Sequence, residues 1–367
     1  MNKLLFIGDI CSHGYKENDC IDFQKTKLYT FLNNFDGKII GNLEAPILES
    51  NLINNTNKFS LLNPPSNKVF FDFCHIVTLA NNHIFDQGIE GYTTTIDFLS
   101  TLKINYLGAG KNIDDARKPV IVELNECKVA LLSYNCYSTN SFLNADSSNY
   151  GTAPLLYEFI EKDIESAKNN YNADIVIILP HWGIENQFFP TAEQICFARR
   201  IIDSGADAII GSHTHTIQVS EIYKGKNIYY SLGNFIFNNF CINSSQTYYQ
   251  SKFNKEGLII ELTIENNTVK AKEHFLKFNE NMLPELSSTD ELSTPIEKNN
   301  KKLELFTKDL SCNNCHPELS LSLKYNGNAM QILYSSTSIE NSIILNIETV
   351  KSKIKRLVIH KIRKLLR

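Results

Sequence analysis

Residues 207–218 read DAIIGSHTHTIQ: a short apolar run, then glycine, serine and two histidines one residue apart. The run has the length and composition of a buried β-strand, and the change of character at Gly211 marks its end. Imidazoles at i and i+2 just beyond such a strand can converge on one point, as metal ligands do. Two solvated side chains in an ordinary loop would read the same way in isolation. The rest of the chain has to separate the two readings.

Working outward, other apolar runs end in the same manner. LLFIG (4–8) leads into Asp9, and GKII (37–40) into Asn42 and Glu44. HIVTLA (75–80) leads into Asn81, Asn82 and His83, with Asp86 three residues on. DIVIILP (174–180) leads into His181, Trp182 and Glu185. Five strand ends thus supply Asp, Glu, Asn, His and a His pair. In open α/β sheets the strand C-terminal ends are where ligands bind. Carboxylate oxygens, an amide oxygen and three imidazoles form the mixed set that suits Mn, Fe or Zn. Six donors exceed one tetrahedral zinc and suit two divalent ions about 3.5–4 Å apart, bridged by a carboxylate.

Further strands are predicted at 104–110, 119–124, 128–134, 227–233, 257–264 and 268–278, and helices at 90–103, 155–170 and 191–205. Strands and helices alternate through the first two-thirds and strands then follow one another, which predicts an α/β sandwich with mixed sheets. Residues 1–280 are expected to form one domain. The polar stretch 281–320 is expected to be a linker, and 321–367 a C-terminal segment ending in a helix.

With 43% hydrophobic and 21% charged residues the chain is of ordinary globular composition, and its net charge of −4 gives no reason to expect nucleic acid as partner. That average hides an asymmetry. Residues 351–367 hold eight Lys/Arg and no acid, leaving 28 basic against 40 acidic residues elsewhere. Within 340–367, Ile343, Ile347, Val350, Ile354, Leu357, Val358, Ile362 and Leu365 recur at helical spacing. A basic amphipathic helix suits either docking on its own domain or peripheral contact with an anionic membrane. LLFI is too short for a secretory signal, which predicts a cytoplasmic protein, peripheral at most to the inner membrane face. The nine cysteines, Cys74, Cys127, Cys136 and Cys196 among them, are expected to be buried thiols. Cys312-Asn313-Asn314-Cys315-His316 lacks the second C-x-x-C of a zinc ribbon and reads as a loop with two thiols.

Taken together, Asp9 at a strand end, GNLE (41–44), ANNHxxDxG (80–88), HWGxE (181–185), GSHTHxxQ (211–218) and YSLGNF (230–235) resemble the CapA, or poly-γ-glutamate capsule synthesis, family. That family belongs to the calcineurin-like metallophosphoesterase superfamily, and the resemblance spans residues 3 to about 280. It implies a four-layer α/β/β/α metallophosphoesterase-like sandwich, here with a C-terminal helical tail. It also implies that Asp9, Glu44, Asn82, His181, His213 and His215 bind the metals, with Glu44 as the bridging carboxylate. His83 falls where the superfamily has its catalytic histidine, oriented here by Asp86. Trp182 and Glu185 are candidates for shaping the pocket, although Trp182 equally suits plain core. One departure is that Asp9-Ile10-Cys11 stands where the superfamily has D-x-H. Either Cys11 or His13 replaces that histidine, or one ion is held less tightly.

The function implied is metal-assisted hydrolysis in the synthesis of capsule, poly-γ-glutamate or another envelope polymer. The substrate would be a small molecule or polymer, phosphorylated or γ-glutamyl. Two alternatives keep the fold: a scaffold subunit with little or no catalysis, and a hydrolase or transferase acting on γ-glutamyl amide bonds.

Overall fold

The computed structural model describes residues 2–50, 60–125, 127–139, 143–243, 246–308, 323–326 and 329–332. Two sheets carry the architecture. One has eight strands, in the order Pro284–Ser287, Thr268–Phe278, Glu256–Glu265, Lys3–Cys11, Lys38–Leu43, Ile76–Thr78 and Asn105–Leu107, with Asn234–Phe237 paired to the far end of Lys3–Cys11. The other has six, in the order Ser220–Tyr223, Lys226–Tyr229, Ala208–Ile210, Ile175–His181, Cys127–Asn135 and Val120–Leu124. Both are mixed: the six-stranded sheet has a parallel centre and antiparallel margins, whereas the eight-stranded one is antiparallel from Pro284–Ser287 to Lys3–Cys11 and parallel from there to Asn105–Leu107.

The two-residue period of a strand sorts the side chains into layers. Leu4 and Phe6, with Ile175, Ile177 and Leu179 from the other sheet, enter one core between the sheets. Leu5 and Ile7 face the opposite way, into a second core. That core is closed by Phe23 of the helix Glu17–Gln24, Leu28 and Leu32 of Lys27–Asn33, and Tyr92 and Leu99 of Gly88–Thr101. On the six-stranded sheet, Val176 and Ile178 are fully buried on the face turned from the shared core. The helix Tyr157–Asn169 packs on the Ile175–His181 strand and Ala192–Asp203 on Ala208–Ile210. Helix, sheet, sheet and helix make the expected four-layer α/β/β/α sandwich. Residues buried on both faces explain why these central strands read as unbroken apolar runs.

Three expectations change. The run 227–233 is not one strand: pairing stops at Tyr229 and resumes at Asn234 in the other sheet, so Tyr230–Gly233 carries the chain across the sandwich. Residues 281–308 are not a linker. Pro284–Ser287 pairs with Thr268–Phe278, Met282 and Leu283 are buried, and Ile296–Lys308 is a helix. The Glu256 carboxylate accepts from the Ser293 and Thr294 backbone N–H groups and from the Thr294 hydroxyl. Scattered apolar anchors (Met282, Leu283, Leu292, Ile296 and Leu303) together with these hydrogen bonds hold the polar stretch, and anchors so widely spaced leave little periodicity to read. The first compact unit therefore runs to Asp309 instead of ending near 280. The third change concerns cysteine, because Cys196 is disulfide-bonded rather than a thiol.

The second unit comprises 310–367, of which the paired strands Leu323–Asn326 and Ala329–Ile332 are described. Cys312, Cys315 and the tail helix expected at 340–367 lie outside the described residues. No helix among the described residues is long and apolar enough to cross a membrane.

Candidate metal centre

The strand ends named above meet at one edge of the sandwich. Two close approaches of backbone set the geometry. The Gly8 backbone lies against Gly233, where a Cβ would stand 2.0 Å from the Gly233 oxygen, and the Asp9 N–H donates to that same oxygen at 3.0 Å. Gly211 lies as closely under Tyr230, where a Cβ would stand 2.1 Å from its oxygen. Only glycine admits such contacts, and they bring Asp9 of one sheet and the 211–215 turn of the other to the same place. His213 and His215 both adopt positive φ, 99° and 56°. Backbone strain of this kind at non-glycine residues gathers at functional sites and persists only where surrounding contacts enforce it.

Glu44 stands at the centre, fully buried. Neither of its carboxylate oxygens receives a hydrogen bond. Its Oε1 lies 3.7 Å from His181 Nε2 and 3.7 Å from His215 Nε2. His181 Nε2 is 3.1 Å from His213 Nδ1 and 2.9 Å from Asn82 Oδ1. Two groups of potential ligands follow, Glu44 with His181 and His213, and Asp9 with Glu44 and His215, the donor atoms of each within 4.8 Å of one another. Glu44 belongs to both. All six residues expected from the sequence to bind metal are therefore brought together.

Outside these donors, hydrogen bonds fix their orientation. His181 Nδ1 pairs with Ser212 Oγ at 2.8 Å and lies 3.3 Å from Asn42 Nδ2, which leaves Nε2 facing Glu44. Asn42 also donates to Asp9 Oδ1 at 2.8 Å, and the His213 N–H to Asp9 Oδ2 at 3.2 Å. His215 Nδ1 pairs with Asn234 Oδ1 at 2.9 Å. Asn234 in turn donates to the carbonyl of Asn254, whose amide donates to the carbonyl of His215. Asn81 donates to Asn42 Oδ1 and accepts from the N–H groups of His83 and Ile84. Such partners select the tautomer and aim of a ligand. Of these, Asn42, Asn81, Ser212 and Asn234 sit in the quoted motifs, whereas Asn254 had no distinguishing pattern.

Electrostatically the cluster is governed by burial. Burial, and then the neighbouring Asp9 carboxylate, push Glu44 well above the usual carboxylate range. Burial also raises Asp9, against the opposing pull of His215 and the hydrogen bond from Asn42. Burial, and then the other imidazoles, hold His181 and His213 well below the usual histidine range, so both are neutral with a lone pair to offer. Two buried carboxyl groups beside the neutral imidazoles of His181 and His213 form a costly arrangement that a dication would resolve. Donors each about 2.0–2.2 Å from one cation stand within roughly 4 Å of each other, as His181 does to Glu44, His213 and Asn82, and His215 to Glu44. The residues present fit divalent metal.

His83 and Asp86 also meet: His83 Nδ1 lies 2.8 Å from Asp86 Oδ2, which further accepts from the Leu61 N–H. The His83 side chain is 25% exposed, so the dyad borders the cluster and reaches solvent. Trp182 is core, stacked on Tyr230 and donating through Nε1 to its carbonyl at 2.9 Å. Glu185 is exposed. Neither candidate for the missing histidine joins a ligand group. Cys11 is buried in an apolar cluster with Ala45, Leu61 and Phe237, and His13 meets Phe240 edge-on.

The sequence matches the family described as bacterial capsule synthesis protein PGA_cap over residues 3–239. It is 31% identical over 239 residues to the PGA biosynthesis protein CapA of Bacillus subtilis, covering 63% of this chain and 62% of that protein. To the capsule biosynthesis protein CapA of Bacillus anthracis it is 35% identical over 167 residues, 44% of this chain and 40% of the relative. The match thus spans less than two-thirds of either relative's length. Among solved structures, a phosphatase from Mycoplasma pneumoniae aligns with a TM-score of 0.44 and 14% identity, over 75% of this chain and 93% of that one.

Proposed function

The chain belongs to the bacterial capsule synthesis protein (PGA_cap) family, and from that premise we propose that it is a metal-dependent hydrolase of phosphoesterase type serving envelope-polymer synthesis. One observation carries the reading: Glu44 is buried with both oxygens unpaired and is shared by two converging ligand groups. Glu44, His181, His213 and Asn82 would hold one divalent ion, and Asp9, Glu44 and His215 a second. Bound there, the ions would supply Lewis-acid polarisation of the scissile group and acidify water near neutral pH.

The remaining steps belong to the chain. Asp86 accepts from His83 Nδ1 and so aims the other ring nitrogen outward, where it donates a proton to the leaving oxygen. Ser212, Asn42 and Asn234 keep the ligand imidazoles in position before substrate arrives. A phosphate ester or a γ-glutamyl bond suits this chemistry, since each breaks by attack of water on a polarised centre with protonation of the leaving atom.

Metal analysis of the purified protein, with a screen of phosphomonoesters, phosphodiesters and γ-glutamyl peptides, tests the proposal. Bound transition metal and turnover of one class are expected, and His83→Ala should keep the metal while losing about 10²–10⁴-fold in rate. Metal without turnover of any class would favour the scaffold role, an outcome to which the Cys11 departure lends weight.

A further inference from the structure

The two ligand groups are not equivalent. Glu44, His181 and His213 are all buried, and Asn82 Oδ1 lies 2.9 Å from His181 Nε2 as a fourth donor. On the other side, Asp9, Glu44 and His215 make three donors. Both Asp9 oxygens already accept hydrogen bonds, from Asn42 and from the His213 N–H. The His215 side chain is 14% exposed, against 2% for His181, so solvent reaches this side. The wall beside His215 is apolar. The Phe237 ring lies 4.8 Å from the His215 ring, and Cys11, Ala45 and Leu61 pack with it.

Resting on the metal-centre reading above, we infer that the two ions are held unequally and that the chain is regulated by metal supply. The ion at Glu44, Asn82, His181 and His213 is resident. The ion at Asp9, Glu44 and His215 is exchangeable and completes the site only when free metal is plentiful. Donor number and desolvation give the reason. Four donors, three of them buried and one a carboxylate, grip a cation with little competition from water. Three donors with one side open leave coordination positions to solvent, and the apolar wall supplies no replacement. The same open side leaves room for a substrate oxygen, which is what separates catalytic from closed metal sites. An imidazole position missing from a ligand set weakens binding more than loss of an outer hydrogen-bond partner, itself worth about 10–100-fold.

The test uses the full chain, stripped with chelator and titrated with Mn²⁺ alone, the free ion being read from its electron paramagnetic resonance signal. Two classes of binding differing by about tenfold or more are expected. His215→Ala should remove the weak class and leave the tight one; His213→Ala should remove the tight class, with circular dichroism confirming the fold. Two equal sites in the unmodified chain, or equal loss of both classes in His215→Ala, would overturn the inference while leaving the metal centre standing. An unmodified chain that binds no Mn²⁺ would overturn the centre itself.

Discussion

Within the strand Ile175–His181, Ile175, Ile177 and Leu179 enter the apolar core between the sheets, while His181 at its end enters the ligand cluster. Lys3–Cys11 repeats the division, with Leu4 and Phe6 in the core and Asp9 in the cluster. These residues of the two strands are buried alike and act oppositely on the free energy. Each apolar side chain leaving water contributes roughly 1.5–3 kcal/mol to folding. Each buried carboxylate without a partner costs stability that the rest of the fold must offset. Burial therefore marks core and site alike, and only the chemistry of what is buried tells them apart.

Exchanging a group in either region shows how far that contrast holds. The largest effect is expected from Glu44→Gln, which removes the carboxylate shared by both ligand groups and should abolish both classes of bound metal. The chelated variant should melt higher than the chelated parent, because the carboxyl group whose ionisation burial opposes has gone. A lower melting temperature for the metal-free variant would contradict the energetic account of the cluster. Next comes Ile177→Ala in the core, with a loss of about 2–5 kcal/mol in denaturant unfolding. Metal bound per folded molecule should not change, and if it did, the two regions would not be separable.

Smaller is Asn234→Ala, which frees His215 Nδ1 and should weaken the exchangeable ion about 10–100-fold in a metal titration while the resident ion is untouched. The smallest effect concerns pH. Burial raises the Glu44 pKa in the metal-free fold above its unfolded value of 4.5, so the unfolded state releases this proton first. The stability of the chelated protein should then fall as pH rises from about 4.5 towards neutrality, and Glu44→Gln should flatten that slope. Unfolding curves at several pH values, with and without metal, read the difference directly.

Much of both regions was legible before any coordinates. Apolar runs gave the strands because buried central strands must be continuous, and the helix expected at 191–205 begins in the structure with a capping box at Thr191. The helices Glu17–Gln24 and Lys27–Asn33 passed unnoticed, since each buries only two residues and makes too short a stripe for periodicity to register. Chemistry-bearing residues stood out at strand ends because polar groups there interrupt apolar runs. Asn254 did not, since an isolated Asn in a loop looks like any other.

What the sequence determined by itself is the identity of the donors and the strand ends that present them, because apolar patterning is local and tertiary contacts seldom override it. Tertiary structure decided the rest. It brought Asp9 against the 211–215 turn through two glycine contacts with segments distant in sequence, and gave Glu44 to both ligand groups. It also turned Cys11 into an apolar wall rather than a ligand. Those outcomes depend on how two sheets pack across an interface, and no pattern along a single strand encodes the distance between them.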